Sequence, residues 1–159
     1  RRFLMSPEGR NFRPEKSVSR EDLAASLVRS GRVPQFVALA PLYLDVKNLT
    51  ARNAVESAQA NPTGKLFFDA NPGGLFKPNA PATKLVAAVA LVKAANLESS
   101  LSAATLPLSV ADAASIPSEW RGYVAVALQK GWLQLDGNYF NPNHSLTRLE
   151  LARAITRIN

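Results

Sequence analysis

Phe140-Asn-Pro-Asn-His-Ser-Leu-Thr-Arg-Leu-Glu-Leu-Ala-Arg-Ala-Ile155 has two counterparts earlier in the chain. They are Phe12-Arg-Pro-Glu-Lys-Ser-Val-Ser-Arg-Glu-Asp-Leu-Ala-Ala-Ser-Leu27 and Phe76-Lys-Pro-Asn-Ala-Pro-Ala-Thr-Lys-Leu-Val-Ala-Ala-Val-Ala-Leu91. The spacing is 64 residues each time, so Phe12, Phe76 and Phe140 fall in register. The same holds for Pro14, Pro78 and Pro142, for Ser19, Thr83 and Thr147, and for Arg20, Lys84 and Arg148. A composite pattern that returns at one spacing marks an internal repeat, and the repeat decides the architecture.

Working outward, each copy reads as an aromatic and a proline that deliver the chain to a helix start. Thr147 followed three residues on by Glu150 is a capping box, with the hydroxyl covering a helix N–H and the carboxylate reaching back. Ser19 with Asp22 is a weaker form of it, and Thr83 is followed by Val86, so half the box remains there. After the cap, Leu146, Leu149, Ala152 and Ile155 recur at helical spacing, as do Leu23, Leu27 and Val28. Leu85 to Ala95 is almost wholly apolar, which predicts the most buried of the three helices.

Arg20, Lys84 and Arg148 each stand just inside a helix N-terminus, whose partial positive charge disfavours cations. One reading is a solvated side chain at a cost of a few tenths of a kcal/mol, roughly. The other is that free N–H groups and a cation together take an anion such as a carboxylate or phosphate. Three such residues in register favour the second.

The 159 residues are 47% hydrophobic and 19% charged, a globular composition. Units of 64 residues account for about two and a half of these lengths. No apolar run is long enough for a membrane span, and no signal peptide opens the chain, so a processed piece of a larger exported protein is expected. With no cysteine there is no disulfide, thiol catalysis or thiolate metal site. A formal charge of +7 and a pI near 10.1 point to an anionic partner such as nucleic acid, anionic lipid or anionic polysaccharide. The positive charge is spread along the chain, apart from Arg1-Arg2 and Arg10 to Arg20.

Taken in order, Glu8-Gly-Arg-Asn-Phe12 parallels Asp136-Gly-Asn-Tyr-Phe140, so the chain is expected to begin inside a repeat. Helices are predicted over Ser19 to Ser30 with Gly31 as its stop, Thr50 to Ala60, Thr83 to Ala95, Ser118 to Lys130 with Gly131 as its stop, and the final capped segment. Val33 to Ala40 is a connector or short helix, Lys65 to Phe68 a short strand or turn pair, and Asn96 to Ser102 a polar connector. Trp132 to Leu135, the Asp136-Gly137 turn and Tyr139-Phe140 form a hairpin-like link.

This unit of helix, short link and helix resembles the S-layer homology (SLH) domain family. The third copy carries the resemblance through Trp120, Ala127, Gly131, Asp136-Gly137, Phe140-x-Pro142 and Thr147-Arg148-Leu149-Glu150. The second shows Asp45-Val46, Gly73-Gly74, Phe76-x-Pro78 and Thr83-Lys84, without the Trp, Arg and Glu. The first keeps only its second half, with Ser19-Arg20-Glu21-Asp22. The resemblance implies an all-α, pseudo-three-fold helical bundle centred on the second helices, in one domain over 1–159 divided at 1–40, 41–104 and 105–159. It also implies a bacterial, extracellular module that anchors a secreted protein to anionic cell-wall polysaccharide, often one bearing pyruvate ketals. Carried over by position, Arg20, Lys84 and Arg148 would meet the anionic group, with Trp120, Gly131 and Trp132 as an apolar floor for a sugar ring.

Other chemistry is poorly supported. His144 is the only histidine, which leaves neither a metal site nor a Ser-His-Asp arrangement with a nucleophile elbow. Ser19, Asp22, Thr83, Thr147 and Glu150 read as capping groups rather than general acids or bases. No cofactor is expected. The rival reading is a structural or regulatory appendage of a secreted hydrolase or protease, packed on that enzyme and binding no glycan. Nucleic acid ranks below both, since the basic residues are dispersed and no recognition motif appears.

Overall fold

The structure, a computed structural model, describes residues 11–159. The Glu8-Gly-Arg10 part of the expected turn and the basic Arg1-Arg2 lie outside the described residues. Five α-helices follow in order: α1 Arg20–Arg29, α2 Leu49–Gln59, α3 Lys84–Ala94, α4 Arg121–Gln129 and α5 Arg148–Ile158. Short 3-10 turns cover Glu98–Ala103, Ala113–Ser115 and Ser118–Trp120. The polar connector after α3 therefore contains one of these turns, whereas Val33 to Ala40 and Lys65 to Phe68 form neither helix nor strand.

Each register helix starts where its cap dictates. Ser19, Thr83 and Thr147 are extended (ψ near 160°), and their hydroxyls accept from the amides of Asp22, Val86 and Glu150. The full capping box forms only in α5, where Glu150 also accepts from the Thr147 amide at 3.0 Å. Ten of the eleven residues of α3 are buried, in keeping with its apolar sequence.

The expectation of an all-α bundle needs correction. Helices make up 43% of the described residues and bridged extended residues a further 6%, and those few extended residues hold the centre. Ser17 bridges Thr147, Ser19 bridges Pro81 and Thr83 bridges Ser145. Between them the Val18 amide donates to Leu146 O (2.8 Å), the Leu146 amide to Ala82 O (2.7 Å) and the Ala82 amide to Val18 O (2.8 Å). Three extended strips thus close a triangle of backbone hydrogen bonds, with Val18, Ala82 and Leu146 buried. The physical reason is local: an N-cap residue must be extended, and the strip leading into it has unpaired backbone groups that need partners. The helices pack mainly in pairs around this triangle, α1 on α2 and α3 on α4.

The turn before each strip repeats as well. Arg13, Lys77 and Asn141, the middle residues of the three Phe-x-Pro turns, have φ of 51°, 58° and 57°. This left-handed conformation costs a non-glycine residue about 1–2 kcal/mol. Two carboxylates hold it. Asp45 accepts from the Phe76 and Lys77 amides (2.9 and 2.7 Å), and Asp112 from those of Phe140 and Asn141 (2.9 and 2.8 Å). Burial opposes ionisation of Asp112, yet these amides and the Lys84 cation outweigh it and hold its pKa below the usual carboxylate value.

Candidate functional site

The register cations come first, because the sequence singles them out. All three are buried. Arg20 donates through Nε to Phe76 O (2.8 Å) and through both Nη atoms to Asp69 (2.9 and 2.8 Å). Its guanidinium lies 5.0 Å from the Phe67 ring centre and 4.9 Å from that of Phe76. Lys84 donates to Gln134 O (3.0 Å), lies 4.9 Å from the Phe140 ring centre and stands 3.9 Å from a Glu150 oxygen. Arg148 donates through Nε to Phe12 O (2.8 Å) and lies 4.9 Å from the Phe12 ring centre. Each cation therefore rests on the aromatic of another segment's Phe-x-Pro turn, a contact worth about 0.5–2 kcal/mol.

The premise of free helix amides does not hold. The amides of Arg20, Lys84 and Arg148 donate to Ala80, His144 and Lys16 carbonyls. Those of Glu21, Leu85 and Leu149 donate to Pro78, Pro142 and Pro14 carbonyls. The third amide of each helix goes to the cap hydroxyl. The first-turn donors are satisfied within the chain, so any anion here must be met by side chains.

One cleft gathers several of the sequence-predicted residues. It has a volume of about 380 Å³ and lies between the start of α3, the Gly131–Asp136 link and α5. Lys84, Gly131, Trp132, Thr147 and Glu150 line it, together with His144. Two residues that the sequence reading did not single out join them, Arg153 and Arg157, four apart and both exposed on α5. Their i, i+4 spacing was the available signal. Arg157 donates to Gly131 O, and the Arg153 guanidinium has no hydrogen-bond or ion-pair partner among the described residues. Glu15 and Asp136 add acidic groups to the lining, so the cleft carries both signs.

Trp120 is elsewhere. It stacks on Phe68 (4.3 Å between centres, 29° between planes) and touches Tyr123, so the structure separates the two tryptophans. Trp132 is buried, with the cleft at its edge. Arg20, with Ser19, Asp22 and Thr83, lies outside this cleft. Among the described residues no His, Asp and Glu cluster could hold a metal, and no helix is long and apolar enough to cross a membrane.

Residues 111–152 match the family described as the S-layer homology domain. This segment is similar to an S-layer homology domain. It contains α4, the Gly131–Asp136 link and the first residues of α5, including Trp120, Trp132, Thr147, Arg148 and Glu150. No curated protein sequence matches the chain. S-layer homology domains are in general non-catalytic modules that bind cell-wall polymers, and carrying one implies a surface-associated protein.

Proposed function

We propose that the chain is one non-catalytic surface-anchoring module of three units (1–40, 41–104 and 105–159) on a larger exported bacterial protein. Its ligand is an anionic cell-wall polysaccharide, including pyruvylated forms, taken in the cleft between α3, α5 and the Gly131–Asp136 link. The observation that supports this most is that residues of the S-layer homology segment, from Gly131 to Glu150, line much of that cleft, to which Lys84, Arg153 and Arg157 bring positive charge from outside the matched residues. Arg153 and Arg157 supply the outward donors for a carboxylate or phosphate, Lys84 a fixed charge beneath them, and Trp132 an apolar edge. Arg148 and Arg20 serve the anchor by fixing the turns that frame it.

The test is co-sedimentation with sacculi of the source organism, run beside sacculi stripped of their secondary polymer and beside an R153A/R157A variant. Binding to unstripped walls alone, lost in the variant, supports the proposal. Equal binding by the variant sinks this choice of cleft. A second reading, the appendage packed on a parent enzyme, draws on exposed Phe36, Val37 and Leu39, in a connector tied to α2 through Ser57 and Arg52. Wild-type protein left in solution with every wall preparation would favour that reading.

A further inference from the structure

The link that follows the first helix of a unit differs in length between the two places where it can be compared. From Ala60, which caps the end of α2, Phe76 is sixteen residues on, whereas from Lys130, which caps the end of α4, Phe140 is ten residues on. The longer link folds its excess onto Arg20. Phe67 lies buried beneath the guanidinium and edge-on to Phe76, and Asp69 grips both Nη atoms. The shorter link offers Lys84 only a backbone carbonyl, that of Gln134, and leaves the cleft beside it open.

The longer link is firmly held. The Gln59 side chain accepts from the Phe67 amide (2.9 Å) and donates to the Phe67 and Ala70 carbonyls (3.1 and 3.2 Å). Lys65 also donates to Ala70 O, and Phe68 stacks on Trp120. Arg20 therefore has its Nε and both Nη atoms engaged inside the chain, while Asp69 itself remains 42% exposed.

We infer that Phe67–Ala70 is a built-in plug, with the Asp69 carboxylate occupying at Arg20 the position that an acidic group of an external ligand would otherwise take. The inference deepens the anchoring proposal, on which its biological meaning rests, by making that anchor unequal around the triangle. An acidic substituent must displace a bidentate carboxylate held within the same chain, and Arg20 is thereby weakened as an anion site. Wall attachment then runs through the cleft at Lys84 more than through the site at Arg20.

The experiment follows the guanidinium resonances of Arg20 by nitrogen-15 NMR in the wild-type chain, D69N and D69A, during titration with pyruvate and with inorganic phosphate. D69N is nearly isosteric and keeps an acceptor beside Arg20, so it guards against loss of folding in D69A. The expected result is a saturable shift of the Arg20 signals in the variants, with apparent affinity up to about fivefold above wild type. Equal responses in wild type and variants overturn the plug, as does an Arg20 signal that neither anion moves in either variant. Failure of wall binding in the sedimentation assay would instead sink the anchoring proposal and leave this result standing.

Discussion

Replacing Arg20 with Met should destabilise the chain more than replacing Lys84 with Met, although both residues are buried register cations. Arg20→Met removes a charged hydrogen bond to the Phe76 carbonyl, worth about 1.5–3 kcal/mol. It also removes contacts to two rings, at about 0.5–2 kcal/mol for a cation over an aromatic face. The Asp69 pair adds only about 0.2–1 kcal/mol, because that carboxylate is 42% exposed and water screens it. Methionine keeps apolar packing and needs no desolvation of charge, which offsets part of this, leaving a loss of about 3 kcal/mol. Lys84→Met loses one such hydrogen bond, one ring contact and a loose 3.9 Å pair, for about 2 kcal/mol. Urea denaturation of both variants with matched m-values reads the difference directly. Lys84→Met as costly as Arg20→Met, or more so, would refute the reasoning. So would a double-mutant cycle between Arg20 and Asp69 giving a coupling far above about 1 kcal/mol.

Three further outcomes are expected. Thr147→Ala should cost about 1 kcal/mol and Glu150→Gln less, since the amide oxygen of glutamine can still accept from the Thr147 amide; thermal melts would show it. Asp112 has a lowered folded pKa, so its contribution is present above the unfolded carboxylate value and is lost as pH falls through the folded one; Asp112→Asn should flatten that part of the acid-denaturation profile. Tyr123 donates to Glu98, and burial followed by that acidic neighbour pushes its pKa up to about 12. Its contribution is complete below the unfolded phenol value and disappears as pH rises through about 12, so ultraviolet titration should find Tyr123 still largely protonated at pH 11, and Tyr123→Phe should remove one late-titrating phenol from the curve.

Much of the local structure was legible because it depends on residues close in sequence. The caps at Ser19, Thr83 and Thr147, the burial of α3 and the bridge between Asp136 and Tyr139 follow from spacing and turn chemistry. The triangle of strips was not legible, since Val18, Ala82 and Leu146 meet through backbone groups that every residue possesses. The cations were found, but their surroundings were not. Phe67 and Asp69 reach Arg20 from about fifty residues away, and the only trace in the sequence is an overlong link bearing an aromatic pair and an acid. Trp120 and Trp132 looked alike, each beside helix-ending apolar residues and so as much core as sugar platform; the structure sets Trp120 against Phe68 and Tyr123 and Trp132 at the edge of the cleft.

The ring through Val18, Leu146 and Ala82 also bears on how many such segments can coexist. In a stacked array, the end members expose an unfilled face, and another member can be added there. Here each of the three residues both gives and receives one bond within the ring, and none is left over for a fourth segment. A duplication of 64 residues could join only by breaking the circle or by starting a circle of its own. Deleting one segment would orphan a buried donor and a buried acceptor at once, so shortened chains should lose their structure wholesale instead of fraying from one end.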